Sequence, residues 1–337
     1  MPNQPKYGIL LANTGTPSAP TAKAIKKFLG RFLMDRRIAP MNRAFWWLLL
    51  HAHILPLRGK RNVAKYEAIW TEDGSPFTVG HEKLVSGLNA AYKNEGREDV
   101  LVACGQTYSD PDVLAGMKKL KDAGCDHIVV LPLYPQSAHS TTGAVHDAVD
   151  RAKKKLNWDV SYDFIDNYHD NTIYIKAIAA SIRHAGFDVE TDDRLVFSFH
   201  SIPLKDIEAG DTYELQTGAS SLQIASELDI DRKRWTIGYQ CRFDRGREWL
   251  TPFTLNTLTR WAEGGSGRVF YICPGFSVDC LETLYDVGHE MEPHYRQACE
   301  DAGRPCPPDG FVYVPCLDRS KAHVKVLKDV LDSHVEG

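Results

Sequence analysis

The chain has 337 residues, 43% hydrophobic and 25% charged, enough for two domains of ordinary size with packed cores. A formal charge of −4 leaves no global basic field, which removes nucleic acid from the expected partners. The eight cysteines are scattered without a C-x-x-C pair, and the start from Met1 to Tyr7 has no apolar signal core. Both read as a cytoplasmic chain with free thiols.

Apolar runs predict the first strand at 7–12 and a helix at 21–33. The turn between them, Asn13-Thr14-Gly15-Thr16-Pro17, holds one glycine and no phosphate-binding fingerprint. Next comes Phe45-Trp46-Trp47-Leu48-Leu49-Leu50, with Arg36, Arg37 and Arg43 before it and Arg58, Lys60 and Arg61 after. It is far short of the roughly 20 apolar residues that span a bilayer. Two readings stay open for it: a helix packed in the core, or an apolar lip making peripheral contact with a membrane surface or a greasy ligand.

Strands at 100–104, 127–133 and 160–165 then alternate with helices at 78–94, 111–123 and 143–156. The loop from Tyr134 to Gly143 is polar, and Ser140 or Thr141 either caps the following helix or meets a ligand. The second half repeats the pattern, with strands at 195–199, 235–239, 268–273 and 311–314 and helices at 172–185, 213–228, 252–263, 279–299 and 321–331. Alternating βα units predict an α/β fold with parallel sheets and right-handed crossovers. Segments 10–17 and 197–203 occupy similar places in the two halves, which puts the boundary near 155–160.

The strand at 195–199 ends on His200, and Ser201-Ile202-Pro203 stops it there. Ligands of open α/β sheets bind beyond the carboxyl ends of strands, and imidazole holds a proton or a metal near neutral pH. The plain alternative is a histidine that caps its strand. Asp279 and Glu282 fit a capping box at the start of the 279–299 helix. Glu282, Asp286 and Glu290 recur every fourth residue and share one helix face. Either a cation relieves their repulsion or the face is solvated. His289, Glu292 and His294 are interrupted by Pro293, and Cys299, Cys306 and Cys316 lack the tight pairs of metal knuckles.

Taken in order, six segments resemble the ferrochelatases, which insert ferrous iron into protoporphyrin IX at the last step of haem synthesis. They are Leu10-Leu11-Ala12-Asn13-Thr14-Gly15-Thr16-Pro17, Asp73-Gly74-Ser75-Pro76, Leu133-Tyr134-Pro135-Gln136 with Ser140-Thr141-Thr142-Gly143, Ser198-Phe199-His200-Ser201-Ile202-Pro203, Tyr239-Gln240-Cys241-Arg242-Phe243 with Glu248-Trp249-Leu250, and Pro274-Gly275-Phe276 with Asp279-Cys280-Leu281-Glu282-Thr283-Leu284. The resemblance implies two Rossmann-like, chelatase-type parallel-sheet halves: a first domain at 1–157, on which the C-terminal segment 318–337 packs back, a second domain at 158–317, and a porphyrin cleft between them. It makes His200 the essential histidine and Glu282 the facing glutamate, both as catalytic groups and as transient metal contacts. Asp279 and Asp286 match the acidic positions beside that glutamate and, with Glu290, form an expected path for protons or metal. Arg58 and Arg61 match positions that meet propionates, and Asn13, Thr14, Tyr108, Trp249 and Phe276 match cleft-lining positions. No tightly bound cofactor is implied, since Fe²⁺ is a substrate.

Three positions depart from the family pattern. Thr107 stands where many members have Arg before the tyrosine, and Cys280 stands where some have His. His139 replaces the cysteine that, with a C-terminal cysteine cluster, holds a [2Fe-2S] centre in some members, and no cysteine follows Cys316. That centre is therefore not carried over. A coproporphyrin III chelatase is the nearest rival reading. A non-catalytic porphyrin carrier would need the cleft but not the His200 and Glu282 pair.

Overall fold

The computed structural model describes residues 6–242, 244, 246–265 and 267–335. Residues 1–5 of the polar start, Phe243 of its motif, and 336–337 of the C-terminal segment lie outside the described residues. The chain divides into two units, Met1–Asn167 with Arg319–Gly337, and Tyr168–Asp318.

In the first unit, β1 (Tyr7–Asn13), β2 (Val100–Gln106), β3 (His127–Pro132) and β4 (Ser161–Phe164) form a parallel sheet in the order β2-β1-β3-β4. In the second, β5 (Arg194–His200), β6 (Trp235–Gln240), β7 (Val269–Ile272) and β8 (Phe311–Val314) form a parallel sheet in the order β6-β5-β7-β8. The α/β expectation holds, and the two sheets share one connectivity. Their first strands end on Asn13 and His200, paired across the sheet with Gln106 and Gln240. In this strand order the chain reverses direction beside the first strand, which is where such sheets bind ligands.

Strands covered on both faces have no polar alternation. Ile9, Leu10, Leu11 and Ala12 are fully buried, as are Leu195, Val196, Phe197 and Phe199. Each such Ile, Leu or Phe contributes roughly 1.5–3 kcal/mol through burial. Helices start on side-chain caps: Thr21 accepts from the Ala24 N–H, Asp112 from Ala115 and Asn171 from Tyr174. Thr141 precedes the helix Thr142–Leu156 but makes no such bond with its side chain. Beyond β1 the backbone turns at Gly15 (φ +108°), where a Cβ would lie 2.3 Å from Ser109 Oγ.

The strand expected to open the second half belongs to the first sheet. β4 pairs with β3 from His127↔Ser161 onward, because the crossover helix Thr142–Leu156 returns it to the sheet it left. The first unit runs to Asn167. The helix Lys321–Val335 completes that unit: Tyr92 donates to Asp332 Oδ1 (3.2 Å), and Lys328 pairs with Glu95 (2.7 Å).

The helix expected at 279–299 is wound differently. Leu281–Tyr285 and Val287–Met291 are π-helical, and only Glu292–Asp301 is α-helical. Pro293 sits at the start of that α-helix and has no N–H for the carbonyl four residues back, so the preceding turns widen. The same device recurs at Leu50–Ile54, which runs into a helix with a proline in its first turn.

Candidate functional site

His200 emerges half-buried from the covered end of β5. Its Nδ1 lies 2.6 Å from the Ser201 carbonyl oxygen. A carbonyl only accepts, so Nδ1 carries a hydrogen and Nε2 is the nitrogen left to meet a proton or a metal. The segment leaving His200 is clasped by 248–250. Leu250 N donates to Ile202 O (2.9 Å), Leu204 N to Glu248 O (3.0 Å) and Ser201 Oγ to Leu250 O (2.8 Å). That clasp carries Trp249, whose indole Nε1 is buried without a hydrogen-bond partner among the described residues.

A buried polar network lies one residue pair below. Tyr271 Oη is 2.7 Å from Ser198 Oγ and 2.6 Å from Gln240 Oε1, and Ser198 Oγ also approaches Thr254 Oγ1 (3.1 Å). Burial holds the Tyr271 phenol well above its usual range, so it stays a neutral hydrogen-bonding group. Gln240 then donates from Nε2 to the Glu282 carbonyl (3.4 Å). Strands β5, β6 and β7 and the Glu282 turn are thus joined by side chains that water does not reach.

The cap of the Glu282 turn is one residue later than expected. Cys280 and Thr283 form the capping box, with Cys280 N donating to Thr283 Oγ1 (2.9 Å), so Glu282 is not spent as a cap. Asp279 is instead an anchor. Its Oδ1 accepts from Tyr313 Oη (2.6 Å) and Thr283 Oγ1 (2.9 Å), which ties it to β8. The Cys280 thiol is pushed well up by burial and then by Glu282.

Glu282, Asp286 and Glu290 lie in sequence along the π-helical turns. Exposure falls along the stripe from exposed Glu290 to buried Asp286, with Glu282 half-buried. Cys241 Sγ donates to Asp286 Oδ2 (3.5 Å), from a left-handed backbone position (φ +59°). Burial first, then Asp286, Glu282 and Glu290 in turn, hold the Cys241 thiol well above its ordinary range. All three carboxylates therefore act on one point at the end of β6, and the inner part of the face is not solvated. His289, Glu292 and His294 separate: His289 stacks on Tyr285, Glu292 pairs with Arg296 and His294 meets Thr259. Among the described residues, no group of three or more His, Cys, Asp or Glu is arranged to hold a metal ion. Phe276 packs half-buried against the core beneath β7.

In the first unit, Asn13 O accepts from Thr107 N (2.8 Å) and Thr107 Oγ1 (3.2 Å), so Thr107 serves the backbone where Arg was expected. Thr14 Oγ1 lies 2.6 Å from Tyr134 Oη. Tyr108 is buried: its hydroxyl donates to Asp35 Oδ2 (2.9 Å) and its ring packs edge-on against Phe32. Arg58 is half-buried and Arg61 exposed, both on the helix Leu55–Arg61. Gln240, Cys241 and His81 had no role in the sequence reading. The first two lie inside a quoted motif, and the signal for His81 was a polar residue at a core position of its helix.

The model of the family Ferrochelatase matches residues 6–335. The chain belongs to the ferrochelatase family. It is 38% identical over 333 residues to a ferrochelatase of Aliivibrio fischeri, covering 99% of each chain. It is 36% identical over 332 residues to one of Nitrosococcus oceani, covering 98% of this chain and 88% of that one. Among solved structures, SirB from Bacillus subtilis with Fe3+ superposes with a TM-score of 0.55 at 12% identity, over 97% of this chain and 95% of that one. That likeness is one of fold.

Proposed function

We propose that this enzyme inserts ferrous iron into protoporphyrin IX to form protohaem. The family assignment supports iron insertion into a porphyrin for haem synthesis, and the choice of protoporphyrin IX is our own reading. The observation that carries the site reading is the pairing, in one unit, of a strand-end imidazole presenting Nε2 with a stripe of three carboxylates.

Insertion replaces two pyrrole N–H protons by one Fe²⁺, so two protons must leave as the metal enters. In our reading His200 Nε2 takes pyrrole protons or holds the iron in transit, and Glu282 works with it. Asp286 and Glu290 carry protons or metal along the stripe. Imidazole and carboxylate suit borderline Fe²⁺, and so few ligands let it go. A flat macrocycle hides its nitrogen lone pairs, so grip on its periphery must bend it. We assign that grip to Asn13, Thr14, Tyr108, Trp249 and Phe276, with Arg58 and Arg61 on the propionates through charge-assisted hydrogen bonds.

The test is anaerobic: purified enzyme, ferrous iron and protoporphyrin IX, with coproporphyrin III run beside it. Turnover with protoporphyrin IX is expected to exceed that with coproporphyrin III. The reverse order transfers the substrate to coproporphyrin III, and stoichiometric binding without turnover makes the protein a carrier.

We also propose peripheral membrane contact through the run from Phe45 to Leu50. Phe45, Trp47 and Leu48 are 61%, 52% and 61% exposed, whereas Trp46 and Leu50 are buried. No described helix is long and apolar enough to cross a membrane. Changing Phe45, Trp47 and Leu48 together to Ser should lower the fraction that sediments with phosphatidylglycerol vesicles by roughly tenfold or more. An unchanged bound fraction sinks the contact.

A further inference from the structure

His81 is a buried titratable group that the proposed chemistry does not use, and it touches one residue that the chemistry does. It lies on the helix Pro76–Asn94, 1% exposed, with its ring 4.3 Å from that of Phe77. Its Nδ1 is 2.7 Å from the Phe77 carbonyl oxygen, and its Nε2 is 3.1 Å from Asn13 Nδ2. A carbonyl cannot donate, so Nδ1 holds the hydrogen. Burial foremost, and His323 as well, push the ring down to about 4, against the bond to Phe77, so Nε2 is a bare acceptor.

That acceptor orients the amide. Asn13 gives one N–H to His81, and its Oδ1 accepts from Thr14 N (2.7 Å). A flipped amide would set Oδ1 against Nε2 and Nδ2 against the Thr14 N–H, two clashes of like kind inside a buried site. One N–H and one oxygen lone pair of Asn13 remain for a ligand at the end of β1.

We infer that His81 is a positioning residue: anchored on Phe77, it fixes which way the amide of Asn13 points toward the porphyrin. The inference rests on the proposed reading of Asn13 as a substrate contact.

The test is a double-mutant cycle in the anaerobic assay with ferrous iron and protoporphyrin IX. His81→Asn keeps the bond to Phe77 but falls short of Asn13, whereas His81→Gln places Oε1 where Nε2 stood. Asn13→Ala and His81→Asn should each raise KM about tenfold with kcat little changed. The double variant should be no worse than either alone, and His81→Gln should restore KM. A normal KM in Asn13→Ala overturns the substrate-contact reading itself. A raised KM there beside a normal one in His81→Asn overturns the positioning role alone, as do effects that multiply in the double variant. Should His81→Asn fail to fold, nitrogen NMR of the histidine-labelled wild-type enzyme decides. A neutral ring protonated at Nδ1 between about pH 5 and 8 supports the inference. A ring protonated at Nε2, or one that titrates in that interval, overturns it.

Discussion

His200→Ala is expected to abolish iron insertion and leave the second unit folded. The ring is half-buried, and its Nδ1 bonds the carbonyl of its own neighbour, Ser201. Removing it costs on the order of 1 kcal/mol in hydrogen bonding, small beside the fully buried Leu195–Phe199 run that holds β5 in place. The chemical loss is of another size. A positioned acid–base group contributes about 10²–10⁴ in rate, and the reaction has two protons to dispose of. The measurement is kcat with ferrous iron and protoporphyrin IX beside a thermal melt. Near-normal kcat in a folded variant would mean that the protons leave by another group, and the site reading would fall with it.

The second large effect is an asymmetry. Glu282→Gln is expected to lose about 10²-fold or more in kcat, and Glu290→Gln only a few-fold. Glu282 is half-buried beside the buried Cys280 thiol, and its backbone is held by Gln240 from the end of β6. Glu290 lies exposed at the outer end of the stripe, where water and salt screen its charge and can replace its service. Both changes keep the volume of the side chain and remove only the titratable oxygen. Equal losses would sink the ordered path and leave a diffuse acidic patch in its place.

Much of this was readable from residues alone, for physical reasons. Buried parallel strands are mostly apolar, so the core strands stood out as short runs, and His200 was conspicuous because an imidazole ends one of them. What escaped depends on distance in space or on subtleties of winding. β4, polar at Ser161 and Asp163 and only partly covered, carries nothing local that tells which sheet it joins. The turns at 281–291 have α-helical spacing in sequence, and only Pro293 hints that they widen. The cap fell one residue late because Thr283 competes with Glu282 for the same role. The contact of Cys241 with Asp286 joins residues 45 apart, and that of Asn13 with His81 joins residues 68 apart. Neither leaves a periodic trace.

The return of the helix Lys321–Val335 to the first unit has a consequence for the order in which the chain is made. The second unit is continuous in sequence, so the ribosome delivers it whole. The first unit is not: its sheet emerges early, but the partner of Tyr92 and Glu95 arrives only after the second unit. At about 5–20 residues per second, synthesis of the intervening stretch leaves that helix's seat empty for roughly 10–30 s. The half whose sheet is translated first cannot complete its fold until the other half has been translated.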